Sequence, residues 1–206
     1  MSHLRPEIRQ RAEETVALYP RARSAMLPLL HLVQEQDGYV SDEGMAEVAE
    51  LTGTSPAEVR GTASFYDMFH LEPVGRYVVG VCTNIACLLA GGLEMLEHAS
   101  ATLGCAVGST SGDGLFTLEE TECLADCNIA PCVQVNHRFV RTTTPEAFDE
   151  LVGDLRAGRR GDEIPPHGTL IRVRRSTGLR APSEQVATER ASEAQARAAR
   201  TPAEAS

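Results

Sequence analysis

The chain reads as an α+β protein: a run of helices to about residue 72, then a smaller unit in which strands and helices mix. Three observations lead there. Apolar residues recur at helical spacing behind polar caps as far as residue 70. Pro73 and Gly75 then break that pattern. From residue 76 onward, short β-rich runs alternate with turn residues and helical stripes.

The elements follow in order. Ile8, Ala12, Val16 and Tyr19 mark a first helical stripe. Leu29, Leu30 and Val33 mark a second, closed by Asp37-Gly38. Ser41, with Asp42 and Glu43 behind it, opens a third helix that buries Met45, Val48 and Ala49. Ser55-Pro56-Ala57-Glu58 combines a capping box with proline at the first helical position, which opens a fourth. RYVVGVC (76–82) is an apolar strand, and Leu89, Leu93, Leu96 and Leu103 form one helical stripe ending at Gly104. SGDG (111–114) is a turn, and FTLEETEC (116–123) alternates as a half-buried strand. CVQVN and RFVRT make a hairpin around Asn136-His137, and a helix capped by Thr144 and ended by Gly158 closes the unit. Strand, helix, three strands and a covering helix suit a small sandwich of the thioredoxin-like kind. The expected domains are residues 1–72, 73–160 and a tail, 161–206, whose Arg, Ala, Glu, Pro and Ser composition predicts an extended and largely disordered segment.

Composition narrows the function. A net charge of -10 argues against nucleic acid, whose phosphates call for a basic surface. All 19 basic residues are Arg. There is no long apolar run to insert into a membrane, and the mixed charges of MSHLRPEIRQRAEETV do not resemble a signal peptide. Thiols in a reducing compartment serve metals or reactions more often than disulfides. No GxGxxG follows a strand and no Walker-type loop occurs, so the chain offers no nucleotide or flavin site of its own, and no catalytic base is nominated. The histidines are scattered and form no ligand pair.

Five of the six cysteines fall in CTNIAC (82–87) and ECLADCNIAPC (122–132). The first four make CxxxxC at Cys82 and Cys87 and CxxxC at Cys123 and Cys127, 35 residues apart (88–122). Four thiolates converging from two loops suit zinc or an iron-sulfur cluster, and the spacing leaves both open. The small residues Thr83, Ala86, Ala125 and Gly91-Gly92 favour the wider cluster, whose sulfides need close backbone; Ile85, Leu88, Leu124 and Ile129 would keep water away. Absence of CxxC weighs against thiol exchange.

VCTNIACLLAGG, followed by DGLFTLEETECLADCNIAPCVQV, resembles the thioredoxin-like [2Fe-2S] ferredoxin family, whose members serve as an iron-sulfur subunit of respiratory NADH:quinone oxidoreductase, complex I. Homologues in NAD-linked hydrogenases and formate dehydrogenases share the pattern. The resemblance extends over about residues 20–160 and takes in the upstream LLHLVQEQDGYVSDEGMAEVAELTGTSPAEVRGTASFYDMFHLEPVGRY. It implies a helical N-terminal region before a thioredoxin-like domain, and one [2Fe-2S] cluster on Cys82, Cys87, Cys123 and Cys127. It also implies a partner subunit carrying FMN and NADH, association with other complex I subunits, and a cytoplasmic place peripheral to the inner face of the cell membrane. Cys132 stands where the family often has methionine or another apolar residue, and reads as a buried thiol beside the cluster. Cys105 reads as packing, and Pro131 stands where thioredoxin-like folds often place a cis bond. Backbone amides of 83–86 and 124–126 are expected to donate to sulfur. Phe65, Tyr66, Met68 and Phe69 offer either a docking face or core. Two rivals of other classes are a zinc adaptor and an iron-sulfur sensor with a helix-turn-helix at residues 41–65, the latter poor in phosphate-binding charge because Arg60 alone is basic on its second helix.

Overall fold

A computed structural model describes residues 2–168 and 183–200, which divide into two compact units, one up to Glu72 together with the last helix, the other from Pro73.

The first unit holds α1 (Pro6–Val16), a 3-10 turn (Ala22–Ala25), α2 (Met26–Asp37), α3 (Asp42–Thr52), α4 (Pro56–Phe65) and α8 (Ser183–Arg200). The caps work as the sequence expects. Ser41 accepts from the Gly44 amide and Gly38 ends α2 in the left-handed conformation, while Ser55 and Glu58 complete the reciprocal box. Ile8, Ala12, Leu29, Leu30, Val33, Val48, Val59 and Phe69 form one buried core, and each fully buried aliphatic side chain there stabilises by roughly 1.5–3 kcal/mol. Gln34 and Glu47 are among the polar side chains buried with it. Gln34 donates to Met68 O (2.9 Å) and accepts from His70 N (3.0 Å), which fastens the segment after α4 onto α2. Glu47 accepts from His3 N (2.7 Å), Leu4 N (2.9 Å), Arg9 (2.6 Å) and the Ser2 hydroxyl, so the N-terminus is tied to α3.

The second unit runs β1 (Tyr77–Cys82), α5 (Ile85–Leu89), α6 (Gly92–Leu103), β2 (Ser109–Thr110), β3 (Phe116–Thr121), a 3-10 turn (Cys127–Ile129), β4 (Val133–Val135), β5 (Arg138–Val140) and α7 (Pro145–Arg156). Its five strands form one mixed sheet in the order β2-β3-β1-β4-β5, with β1 parallel to β3 and the other pairs antiparallel. Alternate residues Tyr77, Val79 and Val81 of β1 join Phe116 and Leu118 of β3 in a core with Met95 and Leu103 of α6 and Phe148, Leu151 and Leu155 of α7. This is the expected architecture, a helical region before a thioredoxin-like α+β domain. Asn136 and His137 both take positive φ (48° and 60°), the hairpin turn anticipated between β4 and β5. The Ala130-Pro131 bond is cis.

Three differences stand out. The stripe from Leu89 to Leu103 is two helices, because Gly91 in the left-handed conformation turns the chain, and this leaves Leu89 84% and Leu93 48% exposed. The edge strand β2 was not anticipated; its two residues are too few to show a period. Within the segment expected to be extended and largely disordered, Ile164 is fully buried in the second core and Ser183–Arg200 is helical. Ala, Glu, Gln and Arg there are strong helix formers, and Arg190 caps the end of α1 by donating to Val16 O (2.7 Å). The rest of the expected tail, 169–182 and 201–206, lies outside the described residues.

Candidate cluster site

Parallel pairing of β1 and β3 decides where the cysteines go. Cys82 ends β1 and stands in register with Thr121, which ends β3. The two loops that leave these strands therefore emerge side by side at one end of the sheet, one carrying Cys87, the other Cys123 and Cys127. Thr83 N donates to Thr121 O (3.2 Å), and the Thr83 hydroxyl donates to Glu120 (2.6 Å), which stitches their roots together. Because β4 is antiparallel to β1, its beginning returns to the same end and delivers Cys132, whose carbonyl accepts from Cys82 N (3.0 Å).

Cys82, Cys87 and Cys132 are brought together in a small buried cluster, each no more than 2% exposed, with Leu124, Ile129 and Ala130 against it. Cys123 and Cys127 lie on the adjoining loop, exposed and outside that cluster. Cys105 is elsewhere, half-buried against the core. Among the described residues, no three His, Cys, Asp or Glu side chains are grouped as the ligands of one metal ion would be.

The backbone around the thiols is close and constrained. Asn84 caps α5 through Ile85 N (3.0 Å), which sets Cys87 within the first turn. At Gly92, a Cβ would stand 2.8 Å from Cys82 O and 2.9 Å from Cys87 O, so no side chain fits behind the first loop. Ala125 holds φ of 59° in the second, a conformation that costs a residue with a side chain roughly 1–2 kcal/mol. The Thr121 hydroxyl is buried without a hydrogen-bond partner among the described residues. Thiols from two adjacent loops, backed by backbone with no room for a side chain and an unspent buried hydroxyl, have the donor chemistry and access that an iron-sulfur cluster uses.

Electrostatics at the thiols follow from burial. Burial pushes the Cys87 thiol up, and the Cys132 backbone amide opposes it by donating to Cys87 Sγ (3.4 Å). Burial raises Cys132 to about 12, helped by the neighbouring Cys87 and Cys82. Burial also raises Cys105.

Some expected details differ. Of the amides expected to reach sulfur, Thr83 N donates to Thr121 O and Ile85 N to Asn84, while the Cys132 amide, from a segment remote in sequence, donates to Cys87 Sγ. Leu124 and Ile129 shield the thiols, but Ile85 (73% exposed) and Leu88 (44%) face outward. Phe69 is core, its ring tilted against that of His31 with centroids 4.7 Å apart, while Phe65 is exposed. Arg60, the one basic residue of α4, pairs with Asp42 (2.9 Å), which further weakens a nucleic-acid-reading helix.

The family model described as thioredoxin-like [2Fe-2S] ferredoxin matches residues 12–156. NADH-quinone oxidoreductase subunit 2 of Thermus thermophilus is 42% identical over 155 residues, spanning 74% of this chain and 86% of that protein. An NADH-quinone oxidoreductase subunit of Mycobacterium tuberculosis is 44% identical over 146 residues, 71% of this chain but only 58% of its own length. Among solved structures, an NAD+-reducing [NiFe]-hydrogenase in the H2-reduced state superposes with a TM-score of 0.56 at 25% identity; the match covers 66% of this chain and 23% of that one.

Proposed function

The chain belongs to the thioredoxin-like [2Fe-2S] ferredoxin family, and from that premise we propose that it is the electron-transferring iron-sulfur subunit of an NADH:quinone oxidoreductase. It holds one [2Fe-2S] cluster on Cys82, Cys87, Cys123 and Cys127 and exchanges single electrons with a flavin on a partner subunit that also binds NADH. The observation that carries this reading is the parallel β1–β3 pair, which sets both cysteine loops at one end of the sheet. When bound, such a cluster supplies one-electron chemistry, whereas NADH yields two electrons as a hydride, so a flavin stands between them.

The chain's own contribution is to bind, shield and tune. Cys82 and Cys87 lose their protons on binding, which burial disfavours for Cys87 until metal charge replaces them. The Cys132 amide, which donates to Cys87 Sγ, would raise the potential. No residue acts as acid or base. Ile85, Leu88 and Leu89 project outward from α5, the helix that carries Cys87. A partner seated on this apolar surface brings its flavin near the cluster and removes water from between them. Among the described residues no helix is long and apolar enough to cross a membrane; on this reading attachment to the inner face of the membrane runs through other subunits of the complex. The hydrogenase alternative rests on likeness at 25% identity, against 42–44% for the quinone-reducing relatives.

Anaerobically purified full chain is expected to contain about two irons and two labile sulfides and to give a rhombic EPR signal on reduction. Serine at Cys82, Cys87, Cys123 or Cys127 abolishes or distorts that signal, and serine at Cys105 leaves it intact. Stoichiometric zinc without iron, or an unaltered signal in all four serine variants, rejects the assignment.

A further inference from the structure

We propose that Cys132 is a positioning residue for the cluster: a thiol that does not ligate iron but ties the second cysteine loop to the first. This rests on ligation by the other four cysteines and goes beyond it, since neither the spacing of the ligand pairs nor the family assignment gives Cys132 a task.

Three hydrogen bonds carry the inference. The Cys132 carbonyl accepts from Cys82 N (3.0 Å), its amide donates to Cys87 Sγ (3.4 Å), and its own S–H donates to Asp126 O (2.9 Å). One residue thus touches both cysteines of the first loop and the backbone immediately before Cys127. The first two bonds are made by backbone and any residue could supply them. The third belongs to the side chain alone. Its acceptor lies where the loop most needs an anchor: Ala125 is in the left-handed conformation, Cys123 and Cys127 are exposed, and the other donor to Asp126 O is local, the Ile129 amide at 3.1 Å. The S–H bond reaches that carbonyl from the start of β4, so it connects the loop to the sheet rather than to itself. At 1% exposure Cys132 also packs in one buried cluster with Cys82 and Cys87.

The test uses the full chain carrying its cluster, with C132V, which keeps an apolar group but removes the donor, and C132S, which restores a donor. Iron release from the reduced protein to excess ferrous chelator is timed, and EPR is recorded on each. One hydrogen bond of ordinary net strength predicts release about three- to tenfold faster in C132V, with shifted g values and two irons retained. In C132S the rate returns toward that of the parent. Parental rate and spectrum in C132V reduce Cys132 to packing and overturn the proposal. Loss of the cluster in C132V and C132S alike, as in the C82S variant, makes it a ligand and also overturns it. A parent chain without iron and sulfide overturns the proposed function beneath it instead.

Discussion

Replacing Gly92 by alanine tests how tightly the backbone is wrapped at the site. A Cβ built there stands 2.8 Å from Cys82 O, 2.9 Å from Cys87 O and 3.0 Å from Cys87 C. All three are backbone atoms, so no flexible side chain can swing away, and both proposed ligand residues must shift. Overpacking of this kind costs about 1–3 kcal/mol. For a unit of this size each kcal/mol lowers the melting temperature by ~4–8 °C, so a middle value of ~2 kcal/mol corresponds to ~8–16 °C. Gly61 is the contrast: it is exposed in α4, with nothing within 4 Å of an added Cβ. Alanine there is expected to stabilise by about 0.5–1 kcal/mol through helix propensity. Thermal unfolding of the cluster-loaded chain, followed by far-UV circular dichroism and by loss of visible absorbance, reads both. Should G92A melt like the parent and keep all its iron, the close approach of α6 to the cysteine loop does not constrain the site.

Two further outcomes are expected. Burial pushes Glu47 upward, but the Ser2 hydroxyl, the Leu4 amide, Arg9 and the His3 amide outweigh it and hold its pKa below the usual 4.5. Stability from a depressed carboxyl is present above the unfolded value and lost as pH falls through the folded one. E47Q is therefore expected to cost about 1–3 kcal/mol at pH 7, by leaving the buried Leu4 amide, the half-buried Arg9 and the Ser2 and His3 donors poorly paired. That gap narrows below about pH 4.5, and urea midpoints at pH 7 and in acid measure it. L89D, on the exposed face of α5, is expected to leave iron content and melting temperature unchanged while weakening co-purification with the flavin-bearing subunit at least tenfold, a loss of ~1.4 kcal/mol; undiminished co-purification places that partner elsewhere.

Helix starts and the hairpin were legible residue by residue. Ser41, Ser55 and Thr144 cap by bonding amides three positions on, and Asn136-His137 turns through its own backbone, so the information and its effect lie in one short segment. The pairing of the cysteines into two loops was likewise visible as spacing, and their chemistry as residue type. Which residues meet was decided only by strand adjacency. Parallel β1–β3 pairing sets the two loops together, and antiparallel β4 returns Cys132 to Cys82 and Cys87 from 45 positions beyond the latter. No local propensity records such a meeting, because it is closed by ladder hydrogen bonds between segments far apart along the chain. The break between α5 and α6, which turns Leu89 outward, belongs with it: a periodic stripe shows that a face is apolar, and only packing shows whether anything covers it.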